Sequence, residues 1–296
     1  MCGLQRQPMP RRWYHSVVSI TITKADGSQE FFKVEKLRRS LRRAGAQPDE
    51  INQIVTRITD QLHDGMKTQE IYRHAFDLLH DSDSPIAARY SLRRALFNLG
   101  PTGFPFEKFL GRLFTADGYT TRTGVMLQGN CAEHEIDVAA YKDDHSFIAE
   151  AKFHARPGIK SDLQVAMYSY ARFLDLKNRS ICNADICGIK EFWIITNTKF
   201  TSAARKYAEC SGIPLLSWDY PKNNNLHDRI QRARVYPITV LQSLSANQTK
   251  TLIGRDIILC SDIIANPGIL RHLHLPKRKH EAILHEAKSI CRSTES

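Results

Sequence analysis

The stretch Ser146-Phe147-Ile148-Ala149-Glu150-Ala151-Lys152 constrains this chain more than any other. Its apolar run predicts a strand that closes on a charged pair. Side chains alternate across a strand, so Glu150 and Lys152 share one face, with Ala151 between them. Upstream, His134-Glu135-Ile136-Asp137-Val138-Ala139-Ala140 predicts a second strand, and Tyr141 to His145 a connecting turn. A hairpin of this kind brings Asp137 beside Glu150 across the sheet. Carboxylates and an amine so arranged can hold a divalent metal and orient a water for attack on phosphate.

The charge balance points to the same chemistry. Lys and Arg outnumber Asp and Glu by 42 to 31, a net +11 with a pI near 9.4. A basic balance suits a polyanionic partner, most simply nucleic acid. The 296 residues leave room for about two or three domains. Seven cysteines are scattered, and the pair Cys182 and Cys187 is too widely spaced for C-x-x-C. No zinc ribbon or disulfide framework is read from them, and reduced thiols in a cytoplasmic protein are expected. Residues 1–16 carry Arg6, Arg11 and Arg12 and lack the apolar core of a secretory signal. No stretch approaches the length of a membrane span, so no membrane partner is expected.

Along the chain, residues 17–33 predict a β-hairpin turning at Asp26-Gly27, with Glu30 to Val34 returning. Helices follow. Leu37, Leu41 and Ala44 share one face; Ile51, Ile54, Val55, Ile58 and Leu62 share another. Thr68 is expected to cap a third helix, and Ser84-Pro85 to open a fourth that runs to Leu99. Gly100-Pro101 then marks a boundary. Beyond it come a helix from Phe104 to Ala116, a strand from Tyr119 to Val125 and the two acidic strands. A helix over 161–177 is expected to turn Leu163, Met167, Tyr170 and Leu174 inward. Strand 191–196, helix 201–210 and strand 213–218 complete the order αβββαβαβ. That order fits one mixed sheet with helices on both faces. Asn223-Asn224-Asn225 is read as a polar linker. After it, short helices start at Ser245, Ser261, Pro267 and Pro276, and Arg271 with Lys277 to Lys279 forms a basic cluster. The fold class is thus α/β (α+β), with three parts expected: 17–100, 103–220 and 227–296.

Ile22 to Leu37, I-T-K-A-D-G-S-Q-E-F-F-K-V-E-K-L, with Ala87 to Tyr90, resembles the ATP-cone, a nucleotide-sensing domain of ribonucleotide reductases and their repressors. The resemblance implies a β-hairpin with helices. It also implies that Ile22, Lys24, Glu30, Lys36, Leu37 and Thr68 contact ATP or dATP as an effector. The two lysines supply ammonium groups for a triphosphate. Ala25 stands where the family usually has Arg, and Tyr72 where some members have His. No G-x-x-x-x-G-K-[ST] is present, so P-loop hydrolysis is not expected.

Phe104 to Leu110, F-P-F-E-K-F-L, together with H-E-I-D-V, E-A-K and Thr196 to Ala208, resembles the Mrr-like branch of the PD-(D/E)xK restriction-endonuclease superfamily. The resemblance implies a restriction-endonuclease-like mixed sheet and a catalytic set of Glu107, Asp137, Glu150 and Lys152. Asp137, Glu150 and the Ala151 carbonyl would hold Mg²⁺ or Mn²⁺. Ile136 replaces the Pro of the superfamily's name. His134, Glu135 and His154 border the expected site; Asp162 and Gln164 start the next helix, Asp162 as an acid near its N-terminal dipole and Gln164 within reach of DNA. The small helical region over 227–296 resembles a helix-hairpin-helix module only faintly. The expected function is a metal-dependent DNA endonuclease, regulated by nucleotide and acting as a homo-oligomer. The alternative is a nucleotide-responsive DNA-binding regulator with an inactive nuclease fold. A ribonucleotide-reductase-type subunit is a third reading, and nothing after residue 101 supports it.

Overall fold

A computed structural model of the chain describes residues 20–143, 145–181 and 188–292. The Cys182/Cys187 pair and residues 17–19 of the expected hairpin lie outside them. The architecture is mixed α/β, as expected.

The N-terminal part is a small sheet under helices. β1 (Thr21–Thr23) and β2 (Gln29–Phe31) form the hairpin, with Ile22 opposite Glu30. Gly27 takes φ +80° at its turn, a conformation open to glycine and costly for other residues. A strand absent from the sequence reading, β3 (Met66–Lys67), adds parallel to β1. Around them pack α1 (Val34–Ala44), α2 (Pro48–Gln61), α3 (Thr68–Ser82) and α4 (Ser84–Tyr90). Ile22, Leu37, Leu41, Ile58, Ala75 and Leu79 fill the shared core. Thr68 is not the cap of α3. That place belongs to Lys67, and no side chain caps the end; Thr68 is the first helical residue. The expected fourth helix also divides. α4 is capped by Asp83, whose carboxylate accepts from the Ile86 N–H, and α5 (Leu92–Phe97) restarts after Ser91.

The central sheet runs β10-β8-β6-β5-β4. Its strands are β4 (Thr120–Gln128), β5 (Glu133–Lys142), β6 (His145–Lys152), β8 (Glu191–Thr196) and β10 (Leu215–Leu216). β4, β5 and β6 are antiparallel neighbours, while β6, β8 and β10 are parallel. Two short strands, β7 (Lys160–Ser161) and β9 (Lys199–Phe200), pair beside it. One face is covered by α6 (Phe104–Ala116), through Phe106, Phe109, Leu110 and Phe114. The other is covered by α7 (Leu163–Leu176) and α8 (Ser202–Cys210).

The inward face of α7 departs from the reading. Ala166, Ser169, Arg172 and Leu176 are buried, whereas Met167 and Leu174 are 50% and 42% exposed. Small residues let this helix lie close on the sheet, and Arg172 turns inward because a carboxylate waits there.

Asn225 is not part of a loose linker. It is 3% exposed and caps α9 (Leu226–Ala233), accepting from the Asp228 N–H at 3.1 Å. α10 (Ala246–Ile253) starts in a capping box of Ser245 and Gln248. α11 (Cys260–Ala265), a 3₁₀ turn over Pro267–Leu273 and α12 (Lys277–Cys291) follow. One core runs through Leu92 and Leu96, Phe109 and Phe114, Leu226 and Ile230, and on to Ile283 and Ile290. The hinge residues at Gly100 and the helices after Asn225 therefore sit on a shared interior.

Candidate functional site

Sheet register assembles the acidic site. Val138 pairs with Ala149, so the next positions along the two strands are Asp137 and Glu150. β4 supports this point from the far side. Thr123 pairs with Val138 and Val125 with Ile136, so Gly124, at φ +62°, lies opposite Asp137. Ile136 packs with the α7 side of the sheet and Val138 with the α6 side, so β5 twists through its own faces at Asp137. The twist carries the carboxylate to the strand end, where its Oδ2 accepts from the Ala151 N–H at 2.6 Å.

Asp137 is pushed up to about 7 by burial first and the Glu150 charge second, opposed by the Ala151 hydrogen bond. Glu107 is also raised, by burial and then by the charges of Glu135 and Glu150. Glu107 reaches this place from the first turn of α6. Its Oε1 folds back over Gly103, where a Cβ would lie 3.1 Å away. Its neighbour Phe106 is packed 5.7 Å from Phe153, just past the E-A-K strand. Three carboxylates therefore influence one another at the end of β6. Lys152 lies exposed on the same strand, near enough for its charge to help lower His154. The Ala151 carbonyl accepts from the Phe153 N–H at 3.1 Å and keeps one lone pair for another partner.

The residue that sequence reading missed is Arg172. It is 8% exposed, donates to Glu150 Oε2 and to the Glu135 carbonyl, and stacks 5.6 Å over Tyr168. Its Nε finds no partner among the described residues. An arginine turned inward from a helix calls for a buried acid, and Glu150 supplies it. Asn197 was missed too. It is fully buried and clamps the backbone of His154, accepting from its N–H at 2.9 Å and donating to its carbonyl at 2.8 Å.

The bordering residues separate. His134 pairs with Asp175 at 2.8 Å, which helps hold that acid down at about 2, so it serves the β4–β5 turn rather than the site. His154 meets Ser161 at 3.2 Å. Asp162 caps α7, and Gln164 is exposed.

Among the described residues, no three His, Cys, Asp or Glu side chains converge to hold a metal ion. The donor set nonetheless suits a hard divalent cation. Asp137 and Glu150 offer carboxylate oxygens, Arg172 engages only Oε2 of Glu150, and a cation would offset the repulsion that raises Asp137.

The second cluster lies in the N-terminal part. Glu30 accepts from both Lys24, at 2.9 Å, and Lys36, at 2.7 Å, and these partners hold its carboxyl below the usual range. The hairpin thus gathers the two ammonium groups on one carboxylate. Thr23 pairs with Lys67, and Thr68 follows at the start of α3, where free N–H groups favour an anion. Ile22 and Leu37 are buried in the core beneath, at 5% and 6% exposure. The hairpin also comes close to the loop after β6: a Cβ added at Gly158 would lie 3.4 Å from Asp26.

Comparison with known proteins agrees with the N-terminal half of this picture. Residues 20–97 match the ATP cone domain, a match that points to nucleotide-binding regulation. Residues 236–291 match the model described as AF1548-like, C-terminal. An uncharacterised protein from Archaeoglobus fulgidus is 37% identical over 182 residues, spanning 61% of this chain and 99% of that protein. The crystal structure of the protein of unknown function AF1548 superposes with a TM-score of 0.52 at 35% identity, covering 64% of this chain and 98% of the other. No helix among the described residues is long and apolar enough to cross a membrane. By its identity to that fully covered relative and by both matched models, the chain belongs to the AF1548-like family and carries an ATP cone domain.

Proposed function

We propose that this protein is a metal-dependent DNA endonuclease of restriction-endonuclease-like fold, set by ATP or dATP at its cone. The observation that carries the reading is the pairing of Asp137 and Glu150 across the sheet at the end of β6, within electrostatic reach of Glu107, with Asp137 raised to about 7 by burial and then by the Glu150 charge. Burying acids side by side is costly and is found where their charge is used. Asp137, Glu150 and the Ala151 carbonyl would hold Mg²⁺ or Mn²⁺, which when bound polarises a phosphodiester and acidifies water. Lys152 would then orient the attacking water and offset charge on the phosphate as it builds. Glu107 would hold that water from the α6 side. Arg172 holds Glu150 by one oxygen, so that its free oxygen points the same way at each turnover.

Regulation has a physical route. The close approach of Asp26 to Gly158 sets the turn between Lys24 and Glu30 beside the loop that follows Lys152. A triphosphate that draws Lys24 and Lys36 off Glu30 would shift the hairpin, and with it this loop. Such an effector acts only by preferring one arrangement over the other. Calorimetry with ATP and dATP should show binding in wild type and its loss in Lys24→Ala with Lys36→Ala.

The second reading is a nucleotide-responsive DNA-binding regulator, and the Arg172–Glu150 ion pair is the observation that favours it. An arginine there can stand in for a metal and leave a fold that only grips DNA. Supercoiled plasmid incubated with Mg²⁺ or Mn²⁺ separates the two: nicking supports the nuclease, and binding without nicking supports the regulator.

A further inference from the structure

We propose a second nucleotide site, separate from the cone's own, in the cavity between the cone and the C-terminal helices. A cavity of about 720 Å³ opens there, within the range typical of small-molecule sites. None of Ile22, Lys24, Glu30, Lys36, Leu37 or Thr68 lines it. Its wall is built from two parts that the sequence keeps far apart: α3 and α5 with the Gly100-Pro101 segment that follows, and α10 with the turn before it. The Thr239 hydroxyl donates to the Ala95 carbonyl at 2.8 Å and ties α5 to the C-terminal helices at its edge.

The lining defines the ligand. Tyr72 and Phe76 stand on consecutive turns of α3 as a stacked aromatic wall, their ring centroids 6.3 Å apart. Tyr72 is in turn stacked on Tyr90 at 5.2 Å and 9°, so the ring is held in place. Arg94 from α5 and Lys250 from α10 bring two cations to the lining, and neither is engaged in an ion pair among the described residues. No Asp or Glu lines the cavity to offset them. Asn98 and Gln242 add amides able to read the edge of a base. A planar ring against the aromatic wall and a phosphate between two unopposed cations is a nucleotide. Bound there, it would bridge the cone to the AF1548-like C-terminal module. This inference does not rest on the nuclease reading.

The test uses the full chain with Lys24→Ala and Lys36→Ala, which removes the two lysines gathered on Glu30 at the cone's own site. Calorimetry with AMP, GMP and CMP in turn should still find one site per chain for at least one of them. Adding Arg94→Glu with Lys250→Glu should weaken that binding at least tenfold. In the same background, Thr249→Trp should fill the cavity from its rim and remove the binding without any change of charge. Thermal unfolding checks that each variant is folded. No binding of any of the three nucleotides in the cone-emptied chain overturns the proposal. So does binding that both the charge reversal and Thr249→Trp leave unchanged. Loss of ATP binding at the cone alone bears only on the cone.

Discussion

At Asp137, burial and charge pull against each other. Its carboxyl titrates near 7 in the folded chain and near 3.9 in an unfolded one. Between those values the folded state holds a proton that the unfolded state has lost, so stability falls as pH rises through the window. Asp137→Asn keeps an acceptor for the Ala151 N–H and removes the buried charge. It should be more stable than wild type above pH 7, by up to about 1.4 kcal/mol per unit of pKa difference. The two should converge below about pH 4. Thermal unfolding across that range checks it, and equal stability at pH 8 contradicts it. Mn²⁺ at pH 8 should raise the unfolding temperature of wild type and not of the variant. Asp137, Glu150 and Lys152 were legible because strand periodicity and a hairpin fix their neighbourhood. Arg172 was not, because Met167 and Leu174 give α7 an equally apolar stripe on another side. Only the sheet, which offers Glu150 to one face, decides between the stripes.

At the scale of elements, the β4–β5 turn shows what sequence hides. Asp175, from the end of α7, accepts from the Cys131 N–H at 2.8 Å and the Ala132 N–H at 3.2 Å. The chain passes so close that a Cβ at Gly129 would lie 2.1 Å from Asp175 Oδ2. Gly129→Ala should therefore cost about 1–3 kcal/mol, the usual range for overpacking, measured by denaturant unfolding. An unchanged midpoint would mean that this turn is not clamped. Long periodic elements such as α2, α6 and α12 were readable from their own residues. The two-residue strands β3, β7 and β9 were not, since nothing local sets them and each exists only through its partner. Thr68 failed as a cap for a related reason: β3 runs straight into α3, so Lys67 takes the cap position and Thr68 is already helical.

At the scale of the molecule, the basic balance is partly consumed inside the fold. Arg43 donates to Asn225 and Asp228, both at 3.0 Å, and so pins α1 to the start of α9. Arg38 pairs with Asn52 at 2.6 Å. Arg39, Arg42 and Lys277 to Lys279 remain exposed for phosphate contacts. Duplex binding should therefore weaken with salt, by about 0.9 in log K per log salt for each phosphate neutralised. A flat titration would remove nucleic acid as the partner. Gly100 and Asn223 are breaks in the sequence pattern, but the core that crosses both was not legible, because its contacts join residues far apart in the chain.

The central claim is that Glu150 and Lys152 cut DNA. Nicking of supercoiled plasmid in Mg²⁺ measures it most directly, comparing wild type with Glu150→Ala and Lys152→Ala under binding that is matched beforehand. Loss of one metal carboxylate or one charge beside the reacting phosphate should cost at least ~2–4 kcal/mol of barrier, a fall of some hundredfold. Wild type should therefore nick while both variants, still folded, do not. Nicking by both variants at the wild-type rate would contradict the account.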